Sequence, residues 1–403
     1  MFNISQYFTT VAAKYLTAVD IQPSRSNQHE FGGLVRAGFG KYLKTPDTDA
    51  IKYQAEFIYF NDIDEQPLTS AGEVTWYDSR VKKSHRGPEL RLYYKTNKIT
   101  ELLSAGDLMI IGLRPDNTIV LFFTRPGTQH EHILCYLFNI KPQNNLFSTR
   151  DLEKDKDAID ITGNVILQFL GIEPVQLEEV SLLEEIVIEK FGHKFPPTYE
   201  FSRYARDTLG DMDAVNYPDL TLLEWMQREE ELFFALEKVV LKDKISESIN
   251  SVDEFIKLSL SVQNRRKSRA GYALENHFAE ILDRNEIRYQ RGAITENRAT
   301  PDFLFPGASE YHNNSFNDKN LFMLGCKTTC KERWRQVLSE AGRIRIKHLL
   351  TLEPAISETQ TTEMSSNDLQ LVVPQPLQNT YNQHQQQWLL SLKDFLQLIR
   401  DHQ

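Results

Sequence analysis

Through the first third of the chain, apolar residues recur at every second position. On this pattern residues 52–60, 73–77, 89–94, 107–113, 118–124 and 132–140 read as strands. Turn-forming groups separate them: Asn61-Asp62, Arg86-Gly87-Pro88, Ala105-Gly106-Asp107 and Pro115-Asp116-Asn117. Ahead of them, residues 1–20 carry Phe2, Ile4, Tyr7, Phe8, Val11, Ala12 and Tyr15 on one side of an expected short helix. Many short strands with few helices predict a small β-barrel or sandwich ending near residue 145. Beyond it the period lengthens. Residues 221–241, 253–260, 269–284, 331–347 and 387–400 read as amphipathic helices. Apolar runs at 303–305, 321–326, 348–352 and 369–373 read as strands of a second sheet.

Length fits this division, since 403 residues exceed what one ordinary core holds together. Two domains joined by a linker follow: 1–145, an acidic helical connector at 146–192, and 193–403. The net charge of -10 hides an uneven distribution. Residues 264–347 carry 16 Lys and Arg against 10 Asp and Glu, whereas residues 150–190 carry 4 against 11. The three cysteines cannot form a disulfide framework and point to a reducing, cytoplasmic setting. Cys326 and Cys330 lack the further Cys or His that would complete a zinc site. The N-terminus has no basic, apolar leader pattern, and no run approaches the roughly 18 apolar residues needed to cross a bilayer.

The chemistry concentrates between Arg298 and Lys347. Asp302 follows Pro301 at the mouth of one expected strand, and Lys327 ends the next. In an antiparallel pair these two positions meet at one edge. Hydrolysis of a phosphodiester needs a divalent ion such as Mg2+ on hard oxygen ligands, with a cation beside the attacking water or the phosphate. Many nucleases place an acid two residues before the lysine; here that position is Gly325. Glu340, beside the apolar stripe Trp334, Val337, Leu338, Ala341 and Ile344 of the expected helix, can supply the missing ligand. Asp302 and Glu340 are thus the candidate metal ligands. Glu275, at the edge of the apolar stripe of 269–284, is either an ordinary surface carboxylate or one turned into a cleft.

Basic residues surround this centre. Arg265, Arg266, Lys267 and Arg269 stand ahead of the helix at 269–284, and Lys331-Glu332-Arg333 opens the following one. Arg or Lys can bond guanine O6 and N7, and Glu can accept from cytosine N4, so the triplet suits adjacent C:G pairs in a major groove. In the first domain, two polar loops are either a DNA clamp or solvated surface: residues 24–36, and residues 77–91 with Arg80, Lys82, Lys83, His85, Arg86 and Arg91.

Three segments resemble the catalytic domain of the EcoRII restriction endonuclease family: SVDEFIKLSLSVQNRRKSRAGYALENHF, ITENRATPDFLFPGASEYH and KTTCKERWRQVLSEA. The likeness covers roughly residues 250–375, and more loosely the helices back to about 193. The first domain is weakly similar to that family's B3-like effector domain, through His29 with its neighbouring glycines and through Trp76-Tyr77-Asp78-Ser79-Arg80. The resemblance implies an all-β, B3-like pseudobarrel followed by an α/β/α PD-(D/E)XK core with its acid moved to a helix. It implies catalytic roles for Glu275, Asp302, Lys327 and Glu340, and places Arg266 and Lys267 near the scissile phosphate. It makes Lys331, Glu332 and Arg333 readers of a CC:GG-containing site, with flipping of the central base. His29, Arg80, Lys82, Lys83, Arg86 and Arg91 become DNA contacts of the effector domain, although its long basic arm is only loosely reproduced. The implied whole is a homodimer, joined through its catalytic domains, that cuts double-stranded DNA while its first domain binds a second site and restrains it. The alternatives are a DNA-binding regulator with an inactive nuclease core and a methylcytosine-directed nuclease.

Overall fold

The computed structural model describes every residue except 1–3, 22–28, 47–48, 62–66, 82–84, 86, 143–144, 155–161, 173–179 and 247–251. The chain forms a mixed α/β structure in two compact units, Met1–Val175 and Gln176–Gln403. No helix among the described residues is long and apolar enough to cross a membrane.

The first unit is built on strands β1 (Thr10–Tyr15), β2 (Glu30–Phe31), β3 (Ile51–Phe60), β4 (Leu68–Asp78), β5 (Leu90–Tyr94), β6 (Leu108–Leu113), β7 (Ile119–Thr124) and β8 (Ser148–Asp151). They form one sheet in the order β2-β5-β4-β3-β7-β6-β1-β8. All neighbours are antiparallel except β3 and β7, which run parallel with Ala55 opposite Ile119. Alternate residues, among them Ala12, Phe31, Phe57, Trp76, Leu92, Met109 and Leu121, enter one core. β6 and β7 are buried at every position because their other face is covered too. There Phe8 meets Phe122 and Phe138 edge-on, with ring centroids 5.8 and 5.4 Å apart. Gly112 makes room for this packing: a Cβ on it would lie 2.7 Å from the Phe8 ring.

Two expected elements change type here. The helix expected over 1–20 is instead strand β1, held between β6 and β8. Its apolar residues are buried on both faces, which erases the period of two and leaves a spacing that mimics a helix. The strand expected over 132–140 is the helix Gln129–Leu137, whose N-cap Thr128 accepts the Glu131 N–H. Ile133, Leu134 and Leu137 are its buried side, so helical spacing decides the segment.

The expected connector divides between the units. Ser148–Asp151 adds a strand to the first sheet, whereas Val187 on the helix Val180–Phe191 joins a core with Phe201, Leu232 and Leu236 in the second.

The second unit has strands β9 (Gln290–Arg291), β10 (Phe303–Phe305), β11 (Phe322–Lys327), β12 (Lys347–Thr351) and β13 (Leu369–Val372), in the order β13-β12-β11-β10-β9. β9, β10 and β11 pair antiparallel, whereas β11, β12 and β13 run parallel. Helices cover both faces. On one, Phe278 of the helix Val252–Arg284 packs 4.9 Å from Phe303, and Phe395 of the helix Leu392–Arg400 packs 5.8 Å from Phe305. On the other, Val337 of the short helix Trp334–Val337 lies against Gly325.

Four expected helices differ in extent. The segments 253–260 and 269–284 are one continuous helix, Val252–Arg284, and the basic run lies inside it. Lys and Arg are good helix formers, and long charged side chains do not break the backbone ladder. The helix expected over 331–347 is a 3-10 turn, Lys331–Arg333, then Trp334–Val337 alone. It stops because Ala341 takes a φ of 47°, while Arg343 is drawn to the Asn313 and Phe316 carbonyls at 2.9 and 2.6 Å. The helix expected over 387–400 is two, Gln383–Trp388 and Leu392–Arg400, the second restarted by a capping box between Ser391 and Asp394.

Candidate active site

The pairing of Phe303 with Leu324 brings the start of β10 beside the end of β11. Asp302 and Lys327 therefore meet at one sheet edge, as their positions in the sequence suggest. Oδ2 of Asp302 accepts the Cys326 N–H at 2.7 Å and faces the Lys327 ammonium at 3.0 Å. Burial works against the charge on Lys327, but the Asp302 carboxylate, helped by Cys326 and Glu340, raises its pKa on balance. Lys327 is thereby held as a cation.

Gly325 shows why the acid is not in the usual place. A Cβ there would stand 3.0 Å from Cγ2 of Val337 and 3.6 Å from Leu349, so the covering helix fills the space of a side chain. Three residues beyond Val337 the same segment delivers Glu340, half-buried and within the electrostatic reach of Asp302 and Lys327. Burial, and then the Asp302 charge, push the Glu340 carboxyl up to about 7, against the pull of Lys327 and Lys347.

The turn that carries Glu340 is fixed from several sides, by residues the sequence reading missed. The Ala341 carbonyl accepts from the buried Lys347 ammonium at 2.6 Å. The Gly342 N–H donates to Glu296 at 2.9 Å, and the Arg343 N–H donates to the Tyr311 hydroxyl at 3.1 Å. None of these partners falls on a recognisable spacing; only the fold brings residues near 296, 311 and 347 together.

Glu275 comes in from the long helix. Arg291, on β9, donates to its Oε2 at 2.7 Å and to Asn276 Oδ1 at 3.0 Å. Burial raises the Glu275 carboxyl, Arg291 opposes, and Asp302 raises it further. Glu275 is half-buried and within electrostatic reach of Asp302 and Lys327. Arg291 also escaped the sequence reading, because an arginine on a two-residue edge strand carries no pattern.

The other expected residues lie apart from this corner. Lys331 and Arg333 sit on the 3-10 turn just past β11; the Glu332 side chain lies outside the described residues. Arg266 stands nine residues, or about 13 Å of helix, before Glu275. Its guanidinium bridges Glu237 at 2.6 and 2.7 Å and lies over Phe234. Lys267 is on the exposed side of the same helix. In the first unit, Arg80 pairs with Glu89 at 2.7 Å, and Arg91 with Glu30 and Glu89 at 2.8 and 2.9 Å. His29 packs edge-on against Tyr94. Lys82, Lys83 and Arg86 lie outside the described residues.

Among the described residues no three His, Cys, Asp or Glu side chains gather into a metal-ligand cluster. Asp302 and Glu340 offer instead two hard oxygen donors; burial first, and the Asp302 charge second, raise the Glu340 carboxyl. Such a pair fits Mg2+, which binds through one or two carboxylates and takes its other ligands from water and substrate phosphate.

Comparison with known proteins follows the same corner. Residues 233–396 match the family described as EcoRII C terminal. The chain is 38% identical over 233 residues to the type II restriction enzyme EcoRII of Escherichia coli, covering 57% of this chain and 56% of that enzyme. It is 32% identical over 111 residues to the type II restriction enzyme SsoII of Shigella sonnei, covering 25% of this chain and 35% of that enzyme. Among solved structures, metal-depleted Ecl18kI in complex with uncleaved DNA has a TM-score of 0.45 at 20% identity, covering 55% of this chain and 84% of that one. The chain thus spans about half the length of EcoRII and a third of that of SsoII. The matched segment contains Glu275, Asp302, Lys327 and Glu340, so this corner lies within the part of the chain that is similar to the EcoRII C-terminal family.

Proposed function

We propose that this chain is a Mg2+-dependent type II endonuclease that hydrolyses double-stranded DNA at a CC/GG-containing site. The observation that carries the proposal is the convergence of Asp302, Lys327 and Glu340 at one end of β10 and β11, with Glu275 facing them from the long helix. When bound, Mg2+ supplies positive charge to the scissile phosphate and acidifies water. Asp302 and Glu340 hold it. Lys327, kept protonated by Asp302, orients the attacking water on the phosphate. Glu275, its carboxyl raised and its position set by Arg291, accepts a hydrogen bond from the water network. The turn of Lys331 and Arg333, together with Glu332, docks in the major groove four to six residues from the catalytic lysine. Arg266 and Lys267 line the approach of the DNA backbone.

The first unit, with its B3-like reading, serves as an effector domain that holds a second DNA site, and His29, Arg80, Lys82, Lys83, Arg86 and Arg91 are its DNA contacts. The active species is a homodimer joined through the second unit.

The test is Asp302→Ala. It should keep DNA binding in a gel-shift assay and lose Mg2+-dependent plasmid cleavage by at least about a thousandfold. Cleavage at the wild-type rate would overturn the assignment. Mapping the cut ends on a sequenced plasmid would give the site, and comparing methylated with unmethylated plasmid would show whether modification directs it.

A further inference from the structure

Between the end of β11 and the helix Trp334–Val337 the chain makes a tight turn with an unusual backbone. Lys331 takes a φ of 32°, which a residue with a side chain adopts only where its surroundings hold it. The Arg333 N–H closes the turn on the Cys330 carbonyl at 2.7 Å. Two side chains from elsewhere in the fold grip it at either side of Lys331.

The first is Glu353, two residues past the end of β12. Its carboxylate accepts the N–H of Cys330, the residue directly before the triplet. Glu353 is itself set firmly: only 2% exposed, its own N–H donates to Thr351 Oγ1 at 3.1 Å, and its carbonyl accepts the Tyr381 hydroxyl at 2.5 Å. The second is Gln360, in the first turn of the helix Glu358–Ser366. Its Nε2 donates to the Lys331 carbonyl at 2.8 Å. Its own N–H is capped by Ser357 Oγ, so the backbone beneath it is anchored as well. A carboxylate takes the N–H at the start of the turn and an amide takes the carbonyl one residue on. Gln360 fixes the peptide plane after Lys331, the Arg333 N–H on the Cys330 carbonyl fixes the one before it, and Glu353 fixes the plane one residue further back.

We propose that Glu353 and Gln360 are positioning residues for sequence discrimination, holding the Lys331–Arg333 turn at the distance and angle from which its side chains meet base edges. This rests on the reading above that the triplet contacts bases. A bidentate bond to guanine or an acceptance from cytosine tolerates little displacement. An untethered turn still offers positive charge to DNA, so binding and chemistry survive while discrimination falls. Neither role is visible in the sequence, because Glu353 and Gln360 lie 23 and 29 residues from the atoms they hold.

The experiment compares wild type, Gln360→Ala, Gln360→Glu, Glu353→Gln and Lys331→Ala, as full chains with Mg2+. The substrates are duplexes bearing the mapped wild-type site and the same site with one C:G pair changed to T:A. Gln360→Ala, and Gln360→Glu, which keeps the shape but loses the donor, should lower the cognate-to-altered ratio of kcat/KM about tenfold or more. Their kcat on the cognate duplex should stay within about threefold of wild type. Glu353→Gln keeps an oxygen acceptor and should show a smaller shift in the same direction, with its fold checked by circular dichroism. Unchanged ratios in both Gln360 variants, or equal slowing on every duplex, would overturn the proposal while leaving the endonuclease intact. A ratio unchanged in Lys331→Ala would instead remove the base-reading role of the triplet, and the proposal with it.

Discussion

Two clusters of charge in the second unit are built on opposite principles. One lies at the crossing of the helices Thr198–Leu209, Pro218–Ser246 and Val252–Arg284. There Arg206 Nη1 donates to His277 Nδ1 at 3.2 Å, so His277 carries its proton on Nε2, which approaches Glu229 Oε2 at 2.9 Å. Glu229 also faces Arg269 at 3.5 Å, and Glu229 and His277 are fully buried. Burial alone would raise the Glu229 carboxyl, but His277 and Arg269 hold it below the usual carboxylate range. The other cluster is the corner of Glu275, Asp302 and Glu340, with Lys327 and Arg291. It is half-exposed, acids outnumber bases, and the carboxyls of Glu275 and Glu340 are raised rather than lowered. A charge group that serves the fold is neutralised from within. In the corner carboxylates are in excess, and the Asp302 charge adds to the burial that raises Glu275 and Glu340.

The contrast is tested first where the effect should be largest. Glu229→Ala removes the buried carboxylate that faces His277 and Arg269 and should cost about 3–5 kcal/mol in urea unfolding. Cleavage per folded molecule should hardly change; a loss below 1 kcal/mol would mean the helical network is as loosely balanced as the corner. Glu340→Gln should act in the opposite sense. The Glu340 carboxyl titrates near 7 in the folded chain and from a reference value of 4.5 when unfolded, so the folded state holds the extra proton between these values. Wild-type stability therefore falls as pH rises from about 4.5 to 7. Without divalent ions the variant should match wild type at pH 4 and exceed it by about 1 kcal/mol at pH 8, allowing for solvent screening. Added Mg2+ should close the gap by stabilising wild type alone. The smallest effect is expected from Arg291→Ala. Removing the guanidinium that restrains Glu275 should move the acid limb of the cleavage pH profile upward. An unmoved limb would take Glu275 out of the titrating machinery.

How much of this was legible beforehand depended on whether the information was local. Phe303–Phe305 and Phe322–Lys327 are short apolar runs that break sharply onto polar residues, so the strand pair and the meeting of Asp302 with Lys327 could be read directly. Glu340 was found through its relation to Trp334 and Val337, and its place survives even though the helix ends at Val337. β1 could not be recognised, because a strand buried on both faces loses the alternation that marks it. The Gln129–Leu137 helix was missed although Thr128 and Glu131 form an N-terminal signature, because the preceding strands made alternation the expected pattern. Lys347, Arg291, Glu353 and Gln360 were beyond reach for another reason: each acts on backbone or side chains that only tertiary structure brings to it.

The packing of Val337 on Gly325 has a consequence for how the centre is switched on and off. When all the acids of a metal site stand on one sheet, the site is as durable as the sheet. Here one of the two proposed ligands belongs to the layer above, so the site exists only while that layer is seated. Peeling back the short segment from Trp334 to Ile344 would separate Glu340 from Asp302 while every strand pairing stayed intact. Local openings span free energies from near zero up to that of global unfolding, and the buried Trp334, Val337 and Ile344 set the cost of this one. Competence to bind the metal is then a property of layer contact rather than of the fold as a whole, and heat or denaturant should extinguish it before the sheet itself yields.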